Sequence, residues 1–243
     1  MPQGAQGVLV LVEPAGPLNV GSVARLCANF GLDQLRLVAP RCDHLGEEAL
    51  RMAVHGRRLL EGALLFPDLA AALADCRRVV ACSGRVDSDA VPVDAPEDAL
   101  AWLLAADSAA PAALVFGRED RGLSTDELLL AGRILRLPTD DAYPSLNLSH
   151  AVAITLHERQ RLWSTPAPLP SSADPAQRRD LEATLADAEE LLLEVGFLLP
   201  HTSHARMAKV RALLQRAGIT GEEVALVRGM VRQLRWASRS PTP

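Results

Sequence analysis

Leu114 to Leu156 reads LVFGREDRGLSTDELLLAGRILRLPTDDAYPSLNLSHAVAITL, and its pattern decides the fold. The apolar run Ala113–Phe116 has the length of a buried strand and breaks at Gly117. Ser124-Thr125-Asp126-Glu127 is a capping box that opens a helix. Ile134–Leu137 is another short strand, ended by Pro138, and Asn147–Arg161 has helical spacing. Strand, turn, helix, strand, loop and helix in this order require parallel crossovers. Two of the turns, Phe116-Gly117-Arg118-Glu119 and Tyr143-Pro144-Ser145-Leu146-Asn147, place polar groups where a βα unit meets its ligand.

The same alternation runs upstream. Val8–Glu13, Leu35–Val38 and Arg78–Cys82 read as strands; Gly21–Phe30, Glu47–Ala63, Asp68–Ala74 and Ala95–Ala106 read as helices. Residues 1–163 are therefore expected to form an α/β domain, a parallel sheet with helices on both faces. Residues 164–177 hold four prolines and three serines, which reads as a linker. Residues 178–243 read as a small all-helical extension. Asp174-Pro175 resembles an N-cap followed by Pro at the first helical position, and Thr220 to Glu223 is a second capping box. In the last helix Val224, Val227, Val231 and Leu234 form an apolar stripe, and Arg228, Arg232, Arg235 and Arg239 form a cationic one.

Composition narrows the function. Apolar residues are 49% of the chain and aromatics 3%, so the core must be built from Ala, Leu and Val. The candidate apolar run Val8–Val12 is too short to cross a bilayer, and no basic segment precedes it as in a signal peptide. A soluble, cytoplasmic protein is expected, with no membrane partner. The four cysteines lack zinc spacing, so no metal is expected. No phosphate-loop, dinucleotide-binding or nucleophile-elbow motif is present. The net charge of −5 argues against a generally basic nucleic-acid binder, yet residues 206–239 carry eight basic and two acidic groups. The Arg stripe is either a phosphate-binding surface or a solvated helix face.

Polar residues in the turns admit two readings each. Gly84 and Gly117 either let backbone approach a ligand or relieve turn strain. Ser145 and Asn147 either cap the next helix or face a site. Glu119 is a turn carboxylate, and Asn19 precedes the first helix. Arg25 stands on an otherwise small, apolar helix, as a surface ion-pairing group or a functional one. The Thr139–Ser145 loop is long for a βα connection.

Taken together, N-x-G-x-x-x-R from Asn19 to Arg25, F-G-R-E-x-x-G-L-S from Phe116 to Ser124, and L-P-T-x-x-x-Y-P-S-L-N-L from Leu137 to Leu148 resemble the three motifs of the SpoU/TrmH branch of the SPOUT ribose methyltransferases. The tail around Val195–Leu198, Lys209–Ala217 and Leu226–Val231 is similar to the helical extension of the TrmJ type, although more loosely. That resemblance implies a trefoil knot in the C-terminal part of the α/β domain and a homodimer with a shared site. It implies an S-adenosylmethionine-dependent transfer of methyl to a ribose 2′-hydroxyl of tRNA, at cytidine or uridine 32 of the anticodon loop. The alternatives are another RNA (ribosomal RNA or another tRNA position) or a catalytically silent RNA-binding homologue. By resemblance, Cys82, Ser83, Gly84, Gly117, Leu137, Pro144, Ser145 and Leu146 contact the cofactor. Arg25 stabilises the developing alkoxide, in cis or from the partner subunit. Asn19, Glu119, Ser145 and Asn147 hold the arginine, the substrate or the methionine moiety. From its charge pattern rather than from the resemblance, the stripe of Arg228, Arg232, Arg235 and Arg239 is expected to contact RNA phosphate. Cys82 departs from the Thr or Ser that related chains often carry.

Overall fold

The computed structural model describes residues 7–84, 91–105, 110–140, 142–164 and 174–239. Among the features expected from sequence, residue 141 of the Thr139–Ser145 loop, the end of the 95–106 helix and residues 165–173 of the linker lie outside them.

In chain order the elements are β1 (Gly7–Val12), α1 (Pro17–Asn29), β2 (Gln34–Val38), α2 (Glu47–Ala53), a 3₁₀ turn (Val54–Gly56), α3 (Arg57–Glu61), β3 (Leu64–Phe66), α4 (Leu69–Leu73) and β4 (Arg78–Cys82). There follow β5 (Val93–Asp94), α5 (Pro96–Leu104), β6 (Ala112–Phe116), α6 (Thr125–Leu128), β7 (Arg133–Leu135), α7 (Leu148–Ser164), α8 (Arg178–Glu194), α9 (Ser203–Arg216) and α10 (Gly221–Arg239). The seven strands form one parallel sheet in the order β3-β2-β1-β6-β4-β7-β5.

Side chains alternate across the sheet as the strand period of two demands. Leu9 and Leu11 of β1, with Leu114 and Phe116 of β6, face a core closed by α1, α2, α3, α5 and α7. Val8, Val10 and Val12, with Ala113 and Val115, face the other core, which α4 and α6 cover. Both faces are dry, which is why the strands read as unbroken apolar runs. Each fully buried Leu stabilises by about 2 kcal/mol relative to exposure.

The structure corrects several expectations. The 47–63 helix is broken: Val54 lies at φ +49, a 3₁₀ turn follows, and Leu64–Phe66 pairs with β2 as an edge strand. Leu64 and Leu65 are exposed, so no apolar periodicity marked them as a strand. The Val93–Asp94 edge strand is too short to read. The first helix begins at Pro17, so Asn19 lies in its first turn rather than ahead of it. Asp174-Pro175 does not open a helix, since α8 starts at Arg178. Leu234 is exposed rather than part of the core.

Asp174 instead anchors the helical extension. It lies 3.6 Å from Arg78, which is fully buried on β4, and 4.0 Å from Arg77. The guanidinium groups of Arg78 and Arg133 both lie over the Trp102 ring, 5.1 and 5.3 Å from its centre. The amides of Arg178 and Arg179 donate to the carbonyls of Cys76 and Ala74, and Gln215 Nε2 donates to the Leu129 carbonyl at 2.6 Å. α8 and α9 are thereby fixed over α4 and α6. α10 joins them through a third core that includes Leu181, Leu185, Leu198, Met207 and Val224.

Replacing Asp174 by Ala removes a carboxylate from beside a buried guanidinium. Urea denaturation of Asp174→Ala is expected to show a loss of about 3 kcal/mol; a loss within the usual surface range would mean Arg78 does not need it.

Candidate active site at the carboxyl ends of three strands

Cys82 of β4 is in register with Phe116 of β6 on one side and Leu135 of β7 on the other. Three strands thus stop at one level, and the segments leaving them emerge side by side. In open α/β sheets this edge is where ligands bind.

A cavity of about 270 Å³ opens there. Cys82, Ser83, Gly84, Gly117, Leu137, Pro144, Ser145 and Leu146 all line it, so the structure brings the whole expected cofactor set around one space. Phe116, Leu123, Thr139, Tyr143, Leu148 and Ala151 also line it, and sequence reasoning named no role for them. The signal was available for two: Phe116 opens the FGRE turn, and Tyr143 opens the YPSLN turn. Thr139 Oγ1 donates to the Pro144 carbonyl at 3.3 Å and so ties the two ends of the long loop together.

The glycines divide. A Cβ at Gly117 would collide with the backbone of Gly122 and Leu123, so Gly117 is needed to close its own turn rather than to admit a ligand. A Cβ at Gly84 would meet only the Pro144 carbonyl, at 3.2 Å. Gly84 therefore lets the turn after β4 approach the loop before α7.

Polar groups beside the cavity form a chain. Glu119 accepts from the amides of Ala15 (3.1 Å) and Gly16 (3.0 Å) and from Asn19 Nδ2 (3.3 Å). Asn19 Oδ1 accepts from Asn147 Nδ2 at 3.1 Å. Asn147 Oδ1 accepts from the amide of Ser149 at 2.9 Å, which caps α7. Helix α1 starts at Pro17, its N-cap residue Gly16 brings no side-chain cap, and Glu119 bonds the Gly16 amide from 103 residues away. Glu119, Asn19 and Asn147 are thus brought together, and Ser145 stands exposed at the mouth.

Arg25 is not part of this group. It lies six residues beyond Asn19, about 9 Å along α1 and about 120° around it. The residue is exposed and does not line the cavity, and no described residue bonds to it. Its surroundings are unusually fixed, because a Cβ at Gly56 would collide with the backbone of Ala24 and Arg25. The strained Val54 lies two residues before that contact.

Arg118 of the same turn holds Glu13 and Glu127, the latter at 2.8 and 2.9 Å. Hydrogen bonding from Arg118 lowers the Glu13 carboxyl. Burial works to raise Glu127, but Arg118 and the Ser124 amide outweigh it, and that carboxyl also ends below its usual range. On the cavity wall, burial pushes the Cys82 thiol up to about 12, so it stands as a neutral thiol.

The Arg stripe is largely spoken for within the chain. Arg228 Nε donates to Asp187 at 2.9 Å, Arg235 to the Asp187 carbonyl at 2.7 Å, and Arg239 to Glu194 at 2.8 Å. These three bind α10 to α8. Arg232 is exposed and has no partner among the described residues.

Among the described residues no group of three or more His, Cys, Asp or Glu side chains is placed to hold a metal ion, and no helix is long and apolar enough to cross a membrane. The profile of the SpoU rRNA Methylase family matches residues 6–157, and that of the tRNA methyltransferase TrmJ C-terminal domain matches residues 179–242. The chain is similar to the tRNA (cytidine/uridine-2′-O-)-methyltransferase TrmJ of Cronobacter sakazakii, with 32% identity over 97% of this chain and 98% of that one. It is also similar to the tRNA (cytidine-2′-O-)-methyltransferase TrmJ of Methanocaldococcus jannaschii, with 32% identity over 88% and 94%. Its fold matches the crystal structure of TrmJ from Z. mobilis ZM4 with a TM-score of 0.83, 32% identity, and 95% and 99% coverage.

The Arg118 cluster predicts a pH signature. Its carboxyls titrate lower in the folded chain than in the unfolded one, so their stabilisation is complete above about pH 5 and fades as pH falls through the folded values. Glu127→Gln should lower stability by about 1–2 kcal/mol at neutral pH. The gap from wild type, followed by thermal melts, should close below about pH 4; a constant gap would show that charge is not its source.

Proposed function

Since the chain belongs to the SpoU rRNA Methylase family and ends in a TrmJ C-terminal domain, we propose that it is an S-adenosylmethionine-dependent tRNA ribose 2′-O-methyltransferase acting on pyrimidine 32 of the anticodon loop. The observation that carries this reading is the convergence of three turns on one cavity, in a chain that matches TrmJ proteins along nearly its whole length.

The cavity suits the cofactor chemically. Phe116, Leu137, Leu146 and Leu148 give an apolar floor for a flat base, and the turns at Ser83-Gly84 and Pro144-Ser145 offer backbone polar groups at its edge. Bound there, S-adenosylmethionine supplies a methyl group already activated on a sulfonium, so the reaction needs no metal. A sugar hydroxyl is a poor nucleophile at neutral pH. The protein's share is to hold it in line and to stabilise the negative charge that grows on its oxygen. A guanidinium stays protonated, which suits Arg25 to charge stabilisation. Its position away from its own chain's cavity fits delivery to the site of a partner subunit in a homodimer. Ser145, exposed at the mouth, is placed to meet the ribose or the methionine moiety. The Glu119–Asn19–Asn147 chain sets α1 and α7 relative to the mouth. The side-by-side exits of β4, β6 and β7, with Gly84 against the loop before α7, suit a trefoil knot. No membrane-directed feature accompanies this reading, and a cytoplasmic site of action follows from the tRNA substrate.

The reading is tested by transfer of labelled methyl to total tRNA and ribosomal RNA, with mapping of the product. Label at residue 32 of tRNA is expected; label confined to ribosomal RNA, or none, would overturn it. Arg25→Ala should lower transfer by about 10²- to 10³-fold while calorimetric affinity for the cofactor stays as in wild type. Mixing Arg25→Ala with Ser145→Ala subunits should restore activity if the arginine works across the dimer, and leave it absent if each chain serves itself.

Arg232 is the member of the Arg stripe free for phosphate. Arg232→Gln should weaken tRNA binding and reduce the slope of log affinity against log salt by about 1. Arg228→Gln should chiefly loosen the α8–α10 packing, visible as a lower melting temperature.

A further inference from the structure

Tyr143 is the single tyrosine of a chain that has four Phe and three Trp. It is 78% exposed, whereas Phe116 on the cavity floor is 2% exposed. Leaving a ring of this size in water forgoes the stabilisation that burying it would bring. The ring sits at the mouth of the cavity beside Pro144, Ser145 and Leu146. The backbone around it is restrained: the Tyr143 amide donates to the Asp140 carbonyl at 3.1 Å, Pro144 follows, and Thr139 bonds the Pro144 carbonyl. An exposed ring on a tied turn, at the rim of a cleft, is a preformed flat surface with few torsions left to order.

Given the reading above, on which this rests, a nucleotide must bring its ribose 2′-hydroxyl to the same mouth. Its base cannot then remain in the RNA stack, and proteins that hold unstacked bases receive them on aromatic faces. We propose that Tyr143 is the platform on which the base of the target nucleotide stacks, fixing the direction from which its ribose enters. Every base has a π face, so this contact orients the nucleotide without selecting its identity.

The test is a cycle of two proteins and two substrates. The substrates are an unmodified tRNA transcript and the same tRNA with an abasic ribonucleotide at the mapped position, which keeps its 2′-hydroxyl. On the intact tRNA, Tyr143→Ala should lose about 10- to 100-fold in kcat/KM, while Tyr143→Phe stays near wild type. On the abasic tRNA, wild type and Tyr143→Ala should be equal. Cofactor affinity, measured by calorimetry, should be the same in all three proteins. Equal losses on both substrates, a loss of cofactor affinity in Tyr143→Ala, or full activity of that variant on intact tRNA would each overturn the platform while leaving the methyltransferase reading in place. Failure of the wild type to methylate any tRNA would overturn both.

Discussion

The carboxylate of Glu119 at the amino end of α1 is the contact on which the geometry of the site depends. A helix that begins Gly16-Pro17 has free amides and no side chain of its own to meet them. Glu119 meets the amide of Gly16 and that of Ala15 just before it, and Asn19 carries the link on to Asn147 at the start of α7. One carboxylate therefore fixes the turn after β6, the helix after β1 and the helix after β7. Arg118, the neighbouring residue, pins the same turn from below through Glu13 and Glu127. The turn is held from two directions by charge-assisted bonds, which are shorter and stronger than neutral ones.

Much of this was readable in the chain. Apolar runs and capping boxes announce β1, β2, β4, β6, β7 and the α6 and α10 starts because those signals are local. The cavity set was legible only through motif resemblance, since its members contribute backbone and shape more than polar groups. What local patterns could not show is who meets whom at a distance. Asn19 looks like a cap when read alone, yet lies in the first turn, because Pro17 at the first helical position moves the start upstream. Asp174 before a proline also looks like a cap, yet it serves the buried Arg78 of β4. The Arg spacing of α10 is equally compatible with phosphate or with the carboxylates of α8, and only the fold shows that Arg228, Arg235 and Arg239 have partners on α8.

The helical extension is joined to the sheet domain by buried polar contacts rather than by apolar packing alone. Arg78, Arg133 and Trp102 make a cluster at the edge of the sheet, and Arg178 is buried close by. The bond from Gln215 to the α6 end joins α9 to the element that carries Glu127. α9 is thus tied, through α6, to the turn that frames the cavity.

Burial also settles the oxidation chemistry of the site. Cys27, Cys76 and Cys82 are each pushed up to about 12, and Cys42 is raised as well. Peroxides and electrophiles react with thiolates, and a thiol in this state offers almost none. The sulfur on the cavity wall therefore behaves as a small apolar filler, slow to react with either.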